Sequence, residues 1–400
     1  MSPEPTPTPT SPADTALRPS EVNSIAWGDL VAELDGCRAD ENGPAISGIT
    51  LDSRQARHGD LYVGLHGLHA HGARFAGSAA QSGAVAVLTD DEGATLAADA
   101  GVPIIVVPDA RAAMAVAAAK IFGHPADAMT MFGVTGTNGK TTTAFLVEAG
   151  LRAAGRHVGT IGTIGFQLDG VELPSARTTV TTPEAPDLQG LFGAMAERGA
   201  TDVVMEVSSH ALALQRVDGT RFDVAAFTNL GRDHLDFHKT LDDYFEAKAR
   251  LFTSNLARLG VINVDDPRGR QLVERMQASG VTAVTTSIHE PSDYQVTSWH
   301  PGPHGAVLEV TTPSGERTLK LSLPGEFNVR NAVMALAMLE AAGLSFDEVA
   351  HGLSSAQVPG RMERVDLGPD SPTALVDFAH TPQAIASALD AARSSVDGGR

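Results

Sequence analysis

The sequence predicts an α/β fold in three parts: a small N-terminal α/β domain, a larger central parallel-sheet domain, and an incomplete C-terminal Rossmann-like α/β domain. Three observations predict it. Short apolar runs alternate with helical stretches along most of the chain, the pattern of βα units. One of those strands runs through a glycine-rich turn straight into a helix at 129–142, the mark of a parallel sheet with a ligand at its edge. The pattern also breaks at His124-Pro125 and resets at Pro359-Gly360, where proline and glycine interrupt regular structure. At roughly 100–200 residues per domain, 400 residues allow two to four domains.

The elements follow in order. Residues 1–21 hold six prolines (Pro3, Pro5, Pro7, Pro9, Pro12 and Pro19) among Thr and Ser. Such a stretch buries too little apolar surface to offset its ordering cost and reads as a disordered tail, with a docking motif as the alternative. Across 22–126 the segments 47–51, 61–65, 84–89 and 104–107 read as strands. Residues 74–82 and the Ala-rich 110–122 read as helices. Across 127–357 the segment 129–134 is a strand feeding the glycine turn and a helix from about Lys140. Buried strands follow at 203–207, 224–227, 261–264 and 283–286, with helices between. The runs 293–299, 306–312 and 317–323 have no helices between them and read as an antiparallel edge. The nearly continuous apolar stretch 329–342 is a buried helix. From 358 onward only a strand at 375–378 and a helix at 382–393 remain. One strand and one helix cannot close a core, so the chain is expected to end inside its third domain.

Composition excludes several classes of function. Hydrophobic residues make up 42% and charged residues 19%, a globular rather than disordered balance. With 29 basic against 48 acidic residues the formal charge is −19, which argues against a coat for nucleic acid or anionic lipid. Cys37 is the single cysteine, so no internal disulfide forms. No apolar run is long enough to span a bilayer and no signal pattern opens the chain. These features predict a soluble cytoplasmic protein with no nucleic-acid partner and no membrane insertion.

The strongest local signal is Gly133-Val134-Thr135-Gly136-Thr137-Asn138-Gly139-Lys140-Thr141-Thr142. Glycines let backbone N–H groups curl around a phosphate, and the helix start adds positive potential. Lys140 supplies a cation for the terminal phosphates, and Thr141 a hydroxyl for Mg²⁺. The strict pattern wants glycine where Val134 stands, so the loop is a variant. It makes the central domain P-loop ATPase-like, yet it identifies a nucleoside triphosphate without identifying the reaction. Glu206, in Glu206-Val207-Ser208-Ser209-His210, ends a buried strand, where a carboxylate can reach a phosphate-bound metal. The run from Asn229 to His238, with Asp233, His234, Asp236 and His238, is dense in metal-capable side chains. Alone it fits a zinc-hydrolase fragment or a polar surface turn; no second cluster with zinc spacing accompanies it, so Mg²⁺ is favoured. Read alone, Lys248 is a solvated helix lysine.

Taken together, these residues resemble the Mur ligases, the ATP-dependent amide-forming enzymes of peptidoglycan precursor synthesis. The motifs are Gly136 to Thr142, Glu206 to His210, Asp233-His234-Leu235-Asp236 with Lys248 fourteen positions after His234, Gly325-Glu326-Phe327-Asn328, and Asp377-Phe378-Ala379-His380-Thr381-Pro382. Leu51-Asp52-Ser53-Arg54, Gly59-Asp60-Leu61 and Pro359-Gly360-Arg361-Met362-Glu363 narrow the resemblance to the branch that adds the third peptide residue. The match runs over about residues 22–400.

The resemblance implies roles. Gly136, Thr137, Asn138, Gly139, Lys140, Thr141 and Thr142 would hold ATP, with Asn328, Arg361 and His380 near the nucleotide. Leu51 and Ser53 would hold the uridine end of a UDP-N-acetylmuramoyl-dipeptide, beside the Leu68-His69-Ala70 loop. Thr181, Thr182, Ser208 and Arg216 would contact the muramoyl-peptide. Lys248 matches a lysine carbamylated in this family, which would bind Mg²⁺ with Thr141, Glu206 and His234 and orient the metal rather than act as a base. The catalytic group is thus Lys140, Glu206, His234 and Lys248. The second substrate would be a diamino acid, meso-diaminopimelate before L-lysine, and the enzyme a monomer. Three departures stand out. Leu214 occupies a position where some members carry a substrate-binding Gln, with Gln215 next to it. His71 replaces an Asp. The Asp-Asn-Pro-Arg signature that selects the amino acid is absent from the 400 residues and is expected beyond them, so this chain is expected to bind the UDP-sugar and to ligate poorly.

The chemistry so implied is stepwise: a D-Glu carboxylate attacks the γ-phosphate, and an amine then attacks the acyl phosphate. Two alternatives remain open on sequence. One is a sister ligase, D-Ala-D-Ala-adding or folylpolyglutamate-forming; Leu51 to Arg54 argue against the latter. The other is a nucleotide-driven switch or motor.

Overall fold

A computed structural model describes residues 17–67, 69–173, 181–302, 305–368, 373–380 and 382–394. The chain first builds a four-stranded sheet from β1 (Gly48–Thr50), β2 (Asp60–Gly64), β3 (Ala86–Thr89) and β4 (Ile104–Val106), parallel throughout and in chain order. The helices α1 (Trp27–Val31), α2 (Ala76–Ser82), α3 (Asp91–Leu96) and α4 (Ala110–Ile121) belong to this unit. Every residue of β1, β2 and β3 is buried, as parallel strands covered on both faces require. Asp109 caps α4 by accepting hydrogen bonds from the Arg111 and Ala112 N–H groups. The helix predicted over 74–82 divides into a 3₁₀ turn at Gly72–Phe75 and α2.

The second sheet has eleven strands in the order β15-β14-β13-β12-β11-β10-β5-β9-β6-β7-β8. These are β5 (Thr130–Thr135), β6 (Val158–Gly162), β7 (Gly165–Leu168), β8 (Val171–Glu172), β9 (Asp202–Glu206), β10 (Phe222–Phe227), β11 (Ala257–Asn263), β12 (Thr282–Ser287), β13 (Tyr294–Gly302), β14 (Gly305–Thr312) and β15 (Gly315–Leu321). The seven strands from β13 to β6 pair in parallel, and β7, β8, β14 and β15 are antiparallel. The expected antiparallel edge is therefore present, joined to the parallel sheet through β13. Helices α5 (Lys140–Ala153), α10 (Glu326–Ala341) and α11 (Phe346–Ser355) pack in the core on one face. Helices α6 (Ala185–Glu197), α7 (Ser209–Ala213), α8 (Leu241–Ala249) and α9 (Pro267–Ser279) contribute to the core on the other. The two faces thus carry separate cores, the usual outcome for a sheet covered on both sides.

After α11 come β16 (Glu363–Val365) and β17 (Ala374–Val376), an antiparallel pair, and then α12 (Pro382–Ser394). The sequence pattern predicts one strand here; Glu363-Arg364-Val365 is too short and too polar to register as another. Among the described residues no helix is long and apolar enough to cross a membrane.

Residues 17–21, which the sequence places in the tail, lie as a strap across both units, while residues 1–16 are outside the described set. Arg18 Nη1 meets Asp60 Oδ1 at 2.7 Å and Nη2 donates to the Ile49 carbonyl at 2.9 Å. On the other side, the Ser20 N–H donates to Glu197 Oε2 at 2.9 Å. Pro19 rests on Gly193 of α6, where a Cβ would come within 2.5 Å of the proline ring.

Candidate active site

In a parallel α/β sheet, ligands bind at the carboxyl ends of the strands where strand order reverses. Here that point lies around β5, flanked by β9 on one side and β10 on the other. The loop after β5 carries the glycine motif, and Lys140 begins α5. Gly136 has φ 148° and Gly139 φ 89°, conformations that a Cβ resists. Space demands glycine too: a Cβ on Gly136 would run into Thr228 Oγ1, and one on Gly139 would sit 2.5 Å from Asn331 Oδ1. Val134, at the position where a strict motif has glycine, is a fully buried residue of β5, ahead of the turn itself.

A cavity of ≈ 640 Å³ opens above this loop. Lys140 donates from Nζ to the carbonyls of Gly136 and Thr137 at 3.0 and 2.9 Å. Burial is the main cause lowering its ammonium pKa; Glu206 and Asp233 oppose that shift and Arg361 adds to it. Thr141 Oγ1 donates to Glu206 Oε1 at 3.0 Å. Glu206 ends β9 and is buried; it also accepts from the Thr163 N–H at 2.8 Å and the Thr163 hydroxyl at 3.2 Å. Arg361 Nη2 lies 3.4 Å from Thr141 Oγ1, which carries the C-terminal segment to the phosphate loop.

Lys248 overturns its plain reading as a solvated helix lysine: it is 1% exposed. Its Nζ donates to the Gly136 carbonyl at 2.8 Å and lies 4.4 Å from the Tyr244 ring centroid. Burial pushes its ammonium well below the ordinary lysine value, and Lys140 adds to the shift against Asp233. The same burial pushes the Tyr244 phenol up to about 12. His234 adopts φ 52° and packs edge-on against His210, with ring centroids 4.8 Å apart.

The muramoyl-peptide candidates adjoin this pocket. Thr182 Oγ1 donates to the Glu206 carbonyl at 2.9 Å, and the Ser208 N–H donates back to Thr182 Oγ1 at 3.1 Å. Thr181 and Thr163 hydroxyls are 3.3 Å apart. Arg216 Nη1 donates to the Thr182 carbonyl at 3.0 Å.

Other candidates fall elsewhere. Leu51 and Ser53 follow β1 and are half-buried, and His69 and Ala70 are exposed; none lines the cavity. Leu68 lies outside the described residues. Asn328 is buried and donates to the Pro324 carbonyl, and its Oδ1 accepts from Asn331 at 3.3 Å. Asn331 lines the cavity and Asn328 does not. Sequence reasoning missed Asn331, although its position one turn after Asn328 puts both on one helix face. Asn138, Thr142 and His380 line the cavity, and His380 Nδ1 lies 3.0 Å from the Phe378 carbonyl.

The donor set can be tested against a metal. Among the described residues no group of three or more His, Cys, Asp or Glu side chains is gathered as a metal cluster, which does not match the ligand count of a structural zinc centre. A buried carboxylate beside a loop threonine hydroxyl fits Mg²⁺, which takes few protein oxygens and completes its shell with phosphates and water. His234 and Lys248 line the same cavity as Thr141 and Glu206.

Fold and site together define an α/β protein of the nucleoside-triphosphate-binding class, with a cavity opening at its phosphate loop. The Mur ligase middle domain model matches residues 134–339 and the Mur ligase family, catalytic domain model matches residues 45–121. The chain is 46% identical over 385 residues to the UDP-N-acetylmuramoyl-L-alanyl-D-glutamate–2,6-diaminopimelate ligase of Streptomyces avermitilis, covering 95% of this chain and 74% of that one. It is 46% identical over 387 residues to the enzyme of the same name from Corynebacterium glutamicum, covering 94% and 74%. A solved structure of a UDP-N-acetylmuramoyl-L-alanyl-D-glutamate–2,6-diaminopimelate ligase superposes with TM-score 0.80 at 29% identity, over 94% of this chain and 75% of that one. The chain belongs to the Mur ligase family.

Proposed function

We infer that this chain is an ATP-dependent, ADP-forming amide ligase that joins 2,6-diaminopimelate to the D-Glu of UDP-N-acetylmuramoyl-L-alanyl-D-glutamate in peptidoglycan precursor synthesis. The meso isomer is the form proposed, and the enzyme is proposed to act as a cytoplasmic monomer. The named relatives support the reaction. The observation that carries the reading within the structure is the Thr182 hydroxyl, which donates to the Glu206 carbonyl at 2.9 Å. Through it the phosphate loop and the candidate acceptor pocket share one hydrogen-bond network.

The proposed division of labour follows. Gly136 to Thr142 cradle the triphosphate through backbone N–H groups and the start of α5. Lys140 neutralises charge on the transferring phosphoryl group, and Arg361 adds a second cation. Arg216, Thr181, Thr182 and Ser208 orient the acceptor, whose D-Glu carboxylate oxygen forms a bond to the γ-phosphorus as the bond to ADP breaks. The amine of the diamino acid then bonds to the acyl carbon, phosphate leaves, and the amine gives up a proton. No protein nucleophile is needed, because phosphoryl transfer relies on positioning and electrostatic stabilisation. Mg²⁺, held by Thr141, Glu206, His234 and a carbamylated Lys248, would supply charge neutralisation. Burial favours the neutral Lys248 amine, which can bond to carbon dioxide and lose a proton to give a carbamate. Leu51, Ser53 and the loop of Leu68, His69 and Ala70 are assigned the uridine end, and Asn328 and His380 the nucleotide side. The division into 22–126, 127–357 and 358–400 belongs to the same reading.

Hydroxylamine trapping tests this. With ATP, Mg²⁺ and UDP-N-acetylmuramoyl-L-alanyl-D-glutamate, the acyl phosphate is expected to appear as a hydroxamate, whereas tripeptide formation on adding 2,6-diaminopimelate is expected to be slow. ADP release that does not depend on the nucleotide sugar would overturn the ligase reading in favour of a switch or motor.

A further inference from the structure

Between the two sheets, the start of α4 grips the segment that follows α7. Arg111 Nη1 donates to the Leu214 carbonyl at 3.4 Å and to Glu184 Oε2 at 3.2 Å. The other oxygen, Glu184 Oε1, pairs with Arg216 Nη2 at 2.8 Å. Glu184 therefore sits between two arginines, one from each unit, with its side chain 21% exposed and that of Arg216 15% exposed. Alongside, Gln215 Nε2 donates to Asp109 Oδ2 at 3.1 Å, and Gln215 takes φ 57°. A non-glycine residue holds that conformation only where its surroundings impose it. Asp109 spends its other oxygen on the Arg111 and Ala112 N–H groups. The cap of α4 is thus also the clasp on the segment 214–216.

The result for Arg216 is a fixed guanidinium. Nη1 is directed to the Thr182 carbonyl and Nη2 to Glu184. Among the described residues its buried Nε has no hydrogen-bond partner. A buried guanidinium N–H without a partner is costly, so the contacts of Nη1 and Nη2 are what hold the group in place. Glu184 makes no side-chain cap on α6, although it is the residue preceding it. Its carboxylate is committed to the arginines instead.

We propose that Glu184 and Arg111 are positioning residues for the acceptor peptide: Arg111, on the unit assigned the uridine end, holds Glu184, and Glu184 aims Arg216 at the muramoyl-peptide. This rests on the reading above that Leu51 and Ser53 bind the uridine end and that Arg216 contacts the peptide. It adds a specificity device. Only a ligand that spans both units draws on the clasp, so the peptide end is recognised when the small sheet is docked in the geometry Arg111 requires.

Calorimetric titration of the full chain with two ligands, UDP and UDP-N-acetylmuramoyl-L-alanyl-D-glutamate, tests it. Arg111→Ala and the isosteric Glu184→Gln are expected to weaken the peptide-bearing ligand about tenfold, the size of one lost charge-assisted hydrogen bond. UDP binding should stay within about twofold, which a general loss of structure would not allow. The double variant should be no weaker than Glu184→Gln alone, because the two act in series. Equal losses for both ligands, or no loss for either, would overturn the positioning role. A wild-type chain that binds neither ligand would instead overturn the functional reading on which it rests.

Discussion

Lys248 Nζ and the Gly136 carbonyl oxygen lie 2.8 Å apart, joined across 112 positions of the chain. The contact ties α8 beneath the phosphate loop and gives a buried lysine a backbone acceptor. A lysine kept there for its charge alone would be expected to have a carboxylate partner. Instead Lys248 meets a carbonyl, the Tyr244 ring face and the repulsion of Lys140, an environment that favours the neutral amine.

Lys248→Arg keeps a cation but cannot take up carbon dioxide, and Lys248→Met removes the nitrogen altogether. Both are expected to lower hydroxamate formation by roughly 100-fold or more, the scale of losing one preorganised electrostatic group. Labelled bicarbonate should give a carbamate resonance in the wild-type chain that is missing from both variants. An arginine variant with full activity would show that the cation, not the carbamate, is what the site uses.

Glu206 accepts three hydrogen bonds and donates none. Glu206→Gln keeps the shape: its oxygen can accept from the Thr141 hydroxyl and the Thr163 N–H, while its NH₂ meets the exposed Thr163 hydroxyl, whose oxygen can accept. Thermal unfolding without ligand should therefore shift little, while the Mg²⁺ concentration needed for half-maximal hydroxamate formation should rise, because the negative charge is gone. An unchanged Mg²⁺ dependence would remove Glu206 from the metal role.

Contiguous chemistry is what the sequence makes legible. The phosphate loop shows because strand, turn and helix start lie within fourteen residues, 129–142, and Glu206 shows because it closes an apolar strand. Lys248 does not, because the run Tyr244-Phe245-Glu246-Ala247-Lys248 has the look of any half-exposed helix, and its burial depends on a loop a hundred positions away. Asn331 is hidden for the same reason: its approach to Gly139 is made by the packing of α10 on α5. Strand β6 escapes notice because Val158-Gly159-Thr160-Ile161-Gly162 carries two glycines in five residues, which weakens any strand pattern. Helix α11 is also missing from the sequence pattern, although Ser345 and Glu348 form a capping box whose three-residue spacing is a sequence signature in itself. Arg111, Glu184 and the strap at 17–21 act only across the gap between units, where no local pattern points.

His71 stands where the family resemblance expects an aspartate, and the structure explains why the change is tolerated. Its Nδ1 accepts from the Ala73 N–H at 3.1 Å, the capping task an aspartate would do, so Nε2 carries the proton and meets Asp90 Oδ1 at 3.0 Å. His71→Ala should cost about 0.5–2 kcal/mol, the worth of a cap, read as a lower unfolding midpoint in urea. His71→Asp should recover most of that loss by restoring the cap. If the aspartate variant is no more stable than the alanine one, the contact with Asp90 and not the cap is what matters.

The strap offers a pH-dependent test of how the two units are held together. Glu197 on α6 accepts from the Ser20 N–H at 2.9 Å, the Ser20 hydroxyl at 3.2 Å and the Glu21 N–H at 3.3 Å. The Ser20 N–H is the largest cause holding the Glu197 carboxyl below its ordinary value. A depressed carboxylate pKa stabilises the docked state fully above the unfolded value of about 4.3 and loses that contribution as pH falls through the lower docked value. Because Glu197 is exposed, the effect should be modest and weaken with salt. The Ser20 amide should therefore exchange hydrogen slowly at neutral pH and, after correction for intrinsic rates, lose protection on acidification. Glu197→Gln, which keeps an acceptor oxygen but no charge, should show reduced protection that no longer varies across that range. Gly193→Val places a side chain where Pro19 now rests and should release the strap at every pH. A strap that keeps its protection in the valine variant would mean that the Arg18 contact with Asp60, rather than docking on α6, holds it in place.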